Sequence, residues 1–158
     1  RRKTEKVYPY AKLAAERLVE LNDSLADIKN TRKRKKYTKK VQKYIEEEFS
    51  EELKKLTRTE GQILVKLIYR QTGNTAFDLV KDLRNGWRAF WYNTTAKLFK
   101  ISIKEEFHPD VIEEDYLIED ILQRAFSNGK LERQATVLDY DYDKLYNKWK
   151  KTTKIPKN

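Results

Sequence analysis

Apolar residues recur at alternating spacings of four and three along the first third of the chain, the pattern of helices with one buried face. The first stripe comprises Val7, Ala11, Ala14, Leu18, Leu21, Leu25 and Ile28. The second comprises Tyr37, Val41, Tyr44, Ile45, Phe49, Leu53 and Leu56. Asn30 and Thr31 separate the stripes and are suited to cap the second helix. Because the link is so short, the pattern predicts an antiparallel hairpin over about residues 2–29 and 31–57.

A third helix is predicted directly after the hairpin. Thr59 followed three residues later by Gln62 has the spacing of a capping box, in which side chains and backbone N–H groups at a helix start pair reciprocally. We expect this helix to end near Gly73, since glycine readily adopts the left-handed backbone that closes helices. Its predicted buried positions are Ile63, Leu64, Leu67 and Ile68.

Shorter stripes predict three more helices. The fourth begins at Asn74 or Thr75 and is broken at Asn85-Gly86. The fifth has Phe90, Trp91, Thr94 and Leu98 on one side. Residues 100–109 are predicted as a loop or as a short extended piece at Ile101 and Ile103. The sixth lies between Asp110, which with Glu113 would form a second capping box, and Gly129. Its predicted buried positions are Leu117, Ile118, Ile121, Leu122 and Ala125.

Together these elements predict an all-α fold, a long antiparallel helical hairpin packed on a cluster of three to four shorter helices. The counts of Gly 4 and Pro 3 agree with this class, since β-sandwiches and barrels need many turns. We expect residues 1–130 to form a single helical domain. Residues 131–158 would be a C-terminal aromatic and basic extension, either a docked short helix or a tail held by its aromatic side chains.

The net charge of +10 is concentrated in the first third of the chain. The basic patch consists of Arg32, Lys33, Arg34, Lys35, Lys36, Lys39, Lys40 and Lys43. Such a run is typical of a solvated face, of attraction to anionic membrane or cell-wall material, or of nucleic-acid binding. Nucleic acid is the least favoured of the three, because Tyr37 and Tyr44 fall on the apolar stripe and are predicted to be core. The helix also becomes acidic two turns later.

A second group of residues is a candidate ligand site for an anion or a sugar ring. It consists of Gln62, Lys66, Arg70, Arg84, Arg88, Trp87 and Trp91. The first three share one helix face, and the others surround the break at Gly86. The alternative is structural: the cations would tie helix ends and carboxylates such as Asp78 and Asp82, and the tryptophans would be core.

Residue chemistry gives little support to an enzyme. The single histidine, His108, precedes Pro109 in a predicted loop, and Cys 0 excludes cysteine nucleophiles and thiolate metal sites. There is no glycine-rich phosphate loop, and we predict no cofactor and no metal. A hydrolase would need a cleft with two acids, or with one acid and His108. No stretch approaches the 18 apolar residues of a membrane span.

Short motifs along the chain resemble a known bacterial family. They include Val7-Tyr8-Pro9-Tyr10-Ala11-Lys12, Leu64-Val65-Lys66-Leu67-Ile68, Thr72-Gly73, Leu83-Arg84 and Leu98-Phe99. Over roughly residues 2–126 the sequence is similar to the Bacteroidota domain-of-unknown-function family numbered 4294. The resemblance implies no activity, cofactor or catalytic residue. Members typically carry a signal sequence before this domain, which implies a periplasmic, exported or other cell-envelope location.

The chain begins Arg1-Arg2 without an initiator methionine, so we expect a trimmed domain whose signal peptide would lie upstream. Taken together, the sequence favours a non-enzymatic, envelope-associated helical module. Its partner would be an anionic envelope component or another envelope protein. The alternatives are a hydrolase acting on a cell-envelope polymer and a basic nucleic-acid-binding module.

Overall fold

Six helices have defined bounds in the part of the chain that the computed structural model describes, residues 1–81, 89 and 102–153. They are α1 (Arg2–Asp27), α2 (Thr31–Lys54), α3 (Arg58–Thr72), α4 (Ala76–Lys81), α5 (Glu113–Ser127) and α6 (Tyr142–Thr153). These described residues contain no β-strand, so the predicted all-α class is confirmed. The helix that the sequence predicts around Phe90 to Leu98 lies outside these described residues.

Helices α1 and α2 form the predicted antiparallel hairpin. The Tyr10 hydroxyl donates to the Glu52 carboxylate at 3.1 Å, and the Arg17 guanidinium lies 5.9 Å from the centroid of the Tyr44 ring. The later residue on α1 thus meets the earlier residue on α2, as antiparallel helices require. The Asn30 side chain accepts a hydrogen bond from the Lys33 N–H at 3.0 Å and caps α2 as expected.

The core lies mainly between α1 and α3, which pack against each other more extensively than α1 and α2 do. Its most buried side chains come from both helices: Val7, Ala11, Leu18 and Leu21 from α1, and Leu64, Val65, Leu67 and Ile68 from α3. The four predicted buried positions of α3 are confirmed, and the burial extends around most of that helix. Helix α3 is therefore the central element of the fold.

The burial of α2 departs from its predicted stripe. Leu53 and Leu56 are buried and Val41 is half-buried, but Tyr44 is 44% exposed. The prediction that Tyr44 is core was wrong because a cleft of about 400 Å³ separates α1 and α2 at this level, and the ring lies in its wall against Arg17. The side chains of Ile45 and Phe49 lie outside the described residues.

Both capping boxes predicted from spacing were wrong. Helix α3 begins two residues early, and its box joins Thr57 and Glu60: Thr57 Oγ1 accepts from the Glu60 N–H at 3.4 Å, and Glu60 Oε2 accepts from the Thr57 N–H at 2.7 Å. A carboxylate at this position also complements the positive end of the helix dipole, an advantage that Gln62 lacks. At α5 the N-cap is Ile112, because Asp110 lies inside a turn closed by the His108 carbonyl.

Three other predicted helix ends are confirmed, whereas the break predicted at Asn85-Gly86 lies outside the described residues. Thr75 caps α4, where its hydroxyl accepts from the Asp78 N–H at 3.0 Å. Gly73 closes α3 with φ of 72°, and its N–H donates to the Tyr69 carbonyl. This left-handed backbone costs glycine little and strains other residues. Gly129, with φ of 69°, follows the end of α5.

Helix α5 buries a face rotated from the predicted one. Three of the five predicted positions are buried as expected, namely Ile118, Leu122 and Ala125. The prediction was wrong for Leu117, which is 51% exposed, and Ile121 is only half-buried. The buried positions next to Ile118 are instead Asp115 and Glu119. These carboxylates find cations on α3, which turns the helix so that Leu117 faces solvent.

The segment after α5 covers the helices described above. Leu131, Leu138 and Tyr140 pack against the core, and Leu145 of α6 is buried. Trp149 stacks on Tyr116 with ring centroids 5.7 Å apart and donates to the Pro109 carbonyl at 2.9 Å. The C-terminal extension thus includes the short helix that the sequence offered as one alternative. A domain boundary at residue 130 stays a prediction.

Truncating Leu18 to alanine is expected to lower the free energy of unfolding by about 2–5 kcal/mol, because it leaves a cavity beside α3. Its neighbour Val19, which is 39% exposed, provides the control, and Val19→Ala should change stability far less. Urea denaturation of both variants measures the difference. If the free energy of unfolding of Leu18→Ala lies within about 0.5 kcal/mol of the parent value, the core does not lie where we place it.

Candidate functional site

Lys66 and Arg70, the two cations predicted to bind a ligand, form ion pairs between α3 and α5. Lys66 Nζ lies 2.5 Å from Asp115 Oδ1. The Arg70 guanidinium binds Glu119 through two hydrogen bonds, Nε to Oε2 at 2.6 Å and Nη2 to Oε1 at 2.9 Å. The second pair lies four residues after the first on both helices. Helices α3 and α5 therefore run in the same direction along this contact.

Both carboxylates are fully buried and have further partners. Asp115 Oδ2 accepts from the His108 backbone N–H at 2.8 Å, and Glu119 Oε1 accepts from the Gln123 side-chain amide at 2.7 Å. Arg70 Nη1 donates to the Gln134 carbonyl at 3.2 Å. Such additional hydrogen bonds offset the cost of removing ionised groups from water.

The electrostatics of both pairs favour the charged forms. Burial opposes ionisation of Glu119, but the hydrogen bonds and positive charge of Arg70 outweigh it and lower the pKa of that carboxyl below its ordinary value. Burial likewise opposes the charge on Lys66, yet the Asp115 carboxylate raises the pKa of the ammonium. Each cation is therefore neutralised by an anion of the same chain.

This geometry favours the structural alternative for Lys66 and Arg70, with different partners from those expected. Asp78, named as a candidate partner, instead accepts from the Thr75 hydroxyl at 2.7 Å and lies 3.5 Å from Lys81. Gln62 is half-buried and makes no hydrogen bond to either cation. The other predicted members, together with Asp82, lie outside the described residues: Arg84, Trp87, Arg88 and Trp91. Whether they form a ligand site stays a prediction.

The basic patch has the opposite character, because all eight of its side chains are exposed. Arg32, Lys36, Lys39 and Lys43 are spaced by four, three and four residues and form one stripe along α2, on the face away from Val41. The one ion pair between the patch and a described residue joins Lys43 to Glu47 at 3.7 Å. Apart from Lys43, the patch therefore presents charges that the described part of the molecule does not neutralise.

The patch also occupies an unfavourable position in its helix. The first turn of α2 contains no acidic residue, although the helix dipole makes that end positive and favours anions there. Arg32, Lys33 and Arg34 repel both the dipole and one another. A local arrangement that costs stability without compensating contacts is typical of a functional surface.

A cleft of about 510 Å³ beside α1 was missed by the sequence analysis. Four carboxylates of α1 line it: Glu16, Glu20, Asp23 and Asp27. Their spacing of four, three and four residues is a visible acidic stripe on α1. The stripe was overlooked because the basic run on α2 dominates the local charge.

The described residues offer little to a hydrolase. His108 Nε2 lies 2.6 Å from Glu106, and both side chains are well exposed on the loop before α5. The carboxylates of the 510 Å³ cleft all come from one helix, whereas paired-acid hydrolysis needs acids on two sides of the substrate. Within residues 1–81, 89 and 102–153 no cluster of His, Asp and Glu is arranged to hold a metal ion. Nor is any helix in these ranges long and apolar enough to cross a bilayer.

Stability is expected to fall as the pH drops below about 5, because protonating Glu119 removes its pairing with Arg70. The pKa of Glu119 is lowered in the folded protein, so its contribution is complete above the ordinary glutamate pKa and is lost as pH falls through the folded value. Urea denaturation between pH 7 and pH 2 measures this loss. Glu119→Gln should reduce the dependence of the free energy of unfolding on pH in this range. Glu132→Gln is the control and should leave that dependence unchanged, because the Glu132 side chain is 81% exposed. Identical curves for parent and Glu119→Gln would contradict the assignment.

Comparison with known proteins identifies one family. The model of the family described as a domain of unknown function, DUF4294, matches residues 1–124. No curated protein and no solved structure matches the chain. The matched range contains α1 to α5 up to Arg124, and with them both buried ion pairs, the basic patch and the four carboxylates of the cleft.

Proposed function

The chain belongs to the DUF4294 family, whose description names no activity, and we propose from its surface charges that it is a non-enzymatic binding module for the anionic surface of a membrane in the cell envelope. The observation that carries the proposal is the exposed, largely unneutralised basic patch of α2. The buried cations of α3 already have partners, and among the described residues the patch is the densest run of exposed basic side chains.

The shape and composition of the patch favour lipid headgroups. Its stripe from Arg32 to Lys43 is straight and spans roughly 17 Å along the helix axis at 1.5 Å per residue. Its eight side chains are all Lys or Arg, and the exposed ring of Tyr44 beside them lies in the wall of the 400 Å³ cleft against Arg17. Proteins that bind single-stranded nucleic acid usually add aromatic platforms for the bases. Each basic residue near an anionic leaflet contributes about 1 kcal/mol to binding.

An envelope location is part of the same proposal. It is supported by the signal sequence that the resemblance to relatives implies. Fractionating cells that express the full-length protein, with a cytosolic and a periplasmic marker in parallel, tests it. Recovery of the protein with the cytosolic marker would contradict an envelope function.

Substituting three lysines of the patch tests the binding site. Lys35→Gln, Lys36→Gln and Lys39→Gln together should weaken binding to vesicles containing phosphatidylglycerol by about 100-fold, at about 1 kcal/mol per residue. Sedimentation with vesicles measures the partition coefficient. Binding should also weaken steeply between 0.1 M and 1 M salt, as the screening length falls from about 10 Å to about 3 Å.

A charge-matched triple variant is the control. Lys3, Lys144 and Lys151 are exposed lysines outside the patch, and their replacement by glutamine removes the same total charge. We expect this variant to bind vesicles within about threefold of the parent. If both triple variants lose vesicle affinity equally, net charge and not the patch governs binding, and the proposal is overturned. Retention on DNA but not on vesicles would favour the nucleic-acid alternative and overturn the proposal.

A further inference from the structure

The cleft beside α1 opens on a different side of that helix from most of its contact with α2, and Glu20 lies on the border between this cleft and the one between the two helices. Arg17 contacts α2, and Val19, two positions later and about 200° around the helix, lines the cleft. The cleft is bounded by α1, by Gln71 and Thr72 at the end of α3, and by Gln134 of the C-terminal extension. Its volume of about 510 Å³ falls within the range of ligand pockets.

A buried amide without partners lines this cleft. Gln71 is 6% exposed, and neither its side-chain oxygen nor its side-chain nitrogen has a hydrogen-bond partner. The side-chain oxygen of Gln134 also lacks one. Buried polar groups are normally paired, because leaving one unpaired costs free energy. The wall of the cleft therefore holds two unused acceptor oxygens and one unused N–H₂ group.

The rim of the cleft is negative. Glu16 is near Lys12 and Glu20 pairs with Arg17, but Asp23 and Asp27 form no ion pair with a described residue. Carboxylates at the rim and amide oxygens inside together favour a cation with several N–H donors. A guanidinium has five N–H donors in a planar fork and no acceptor, whereas an ammonium concentrates three donors at one point.

We propose that this cleft binds the side chain of an arginine within a peptide segment. The guanidinium donates to the side-chain oxygens of Gln71 and Gln134, while Asp23 and Asp27 balance its charge. The peptide backbone supplies a carbonyl for the Gln71 amide N–H₂, which a simple polyamine could not do. The arginine comes from an extended segment of a partner protein. The site is separate from the α2 patch, so neither proposal depends on the other.

Titration with N-acetyl-arginine N-methylamide tests the site in the full chain. The ¹H–¹⁵N signals of the Gln71 and Gln134 side-chain amides should shift on binding, and the lysine analogue should bind at least tenfold more weakly. Gln71→Met, which keeps the length and removes the polar atoms, should abolish the shifts at Gln134 without lowering the melting temperature. Asp23→Asn with Asp27→Asn should weaken binding about tenfold.

The matched control replaces Asp139 and Asp143, two exposed acids away from the cleft, by asparagine. This variant should bind the arginine probe like the parent. Equal weakening in both double variants, equal affinity for the lysine probe, or no shift at Gln71 would overturn the proposal. Sedimentation velocity then tests the source of the arginine: a monomer that binds the probe supports a partner protein, and oligomers that the probe dissociates would overturn that assignment in favour of a second copy.

Discussion

Replacing Arg70 by methionine is expected to lower the free energy of unfolding by about 3–5 kcal/mol. Methionine fills much of the same space but leaves the Glu119 carboxylate fully buried without its cation. The loss of a buried partner costs more than the pair itself contributes, since the remaining charge is separated from water. Urea denaturation at pH 7 measures the change.

A double variant separates the ion pair from the packing around it. Arg70→Met with Glu119→Leu removes both charges and should recover most of the stability lost in Arg70→Met. The exposed pair Lys54–Glu51 is the control, and replacing Lys54 by glutamine should leave the melting curve unchanged. An Arg70→Met protein as stable as the parent would contradict a structural role. A sulfate-dependent rise in melting temperature that disappears in Lys66→Gln and Arg70→Gln would restore the ligand hypothesis.

Local signals predicted the fold well because helices are specified by residues close in sequence. The stripes of α1 and α3 follow the helical period, and Asn30, Gly73 and Gly129 mark ends by their own backbone chemistry. The capping box of α3 was predicted in the wrong register, because spacing alone does not distinguish neighbouring candidates. Two registers compete here, Thr57 with Glu60 and Thr59 with Gln62. The box at Thr57 is also supported by Lys6, which lies 3.1 Å from Glu60 and 54 positions before it.

The candidate site was harder to predict, since its geometry depends on contacts between distant segments. The four-residue spacing of Lys66 and Arg70 and that of Asp115 and Glu119 are both visible in the sequence. Nothing local indicates that the two helices lie side by side in this register. The same holds for Gln71, whose unpartnered amide becomes evident only when α1 and the C-terminal extension are in place.

The two charged surfaces of the hairpin have different physical settings. The cations of α2 protrude into solvent, where long-range attraction to a surface is strong at low salt and weak at high salt. The acids of α1 border a cleft with buried amides, where directional hydrogen bonds add to the charge. We therefore expect salt to distinguish the two activities: vesicle binding by the patch should fall more steeply with salt than arginine binding by the cleft.

Ending the chain at Lys130 is expected to cost on the order of 5 kcal/mol or more, comparable with the total stability of many domains. The family match ends before this point, but the extension covers groups inside it. The Tyr8 hydroxyl donates to the Glu132 carbonyl at 3.0 Å and accepts from the Gln134 N–H at 2.9 Å. Removing residues 131–158 takes away both hydrogen-bond partners of the Tyr8 hydroxyl. It also exposes Arg70 and removes the Gln134 carbonyl to which Arg70 Nη1 donates.

Circular dichroism and urea denaturation of residues 1–130 measure this loss, and point variants keep the test informative if the fragment does not fold. Leu145→Ala removes a buried side chain of α6 and should cost about 2–5 kcal/mol in the full chain. Asn147→Ala, at an exposed position of the same helix, should cost far less. If the 1–130 fragment unfolds at the same urea concentration as the full chain, the extension is an appendage, and the burial of Arg70 and Tyr8 does not depend on it.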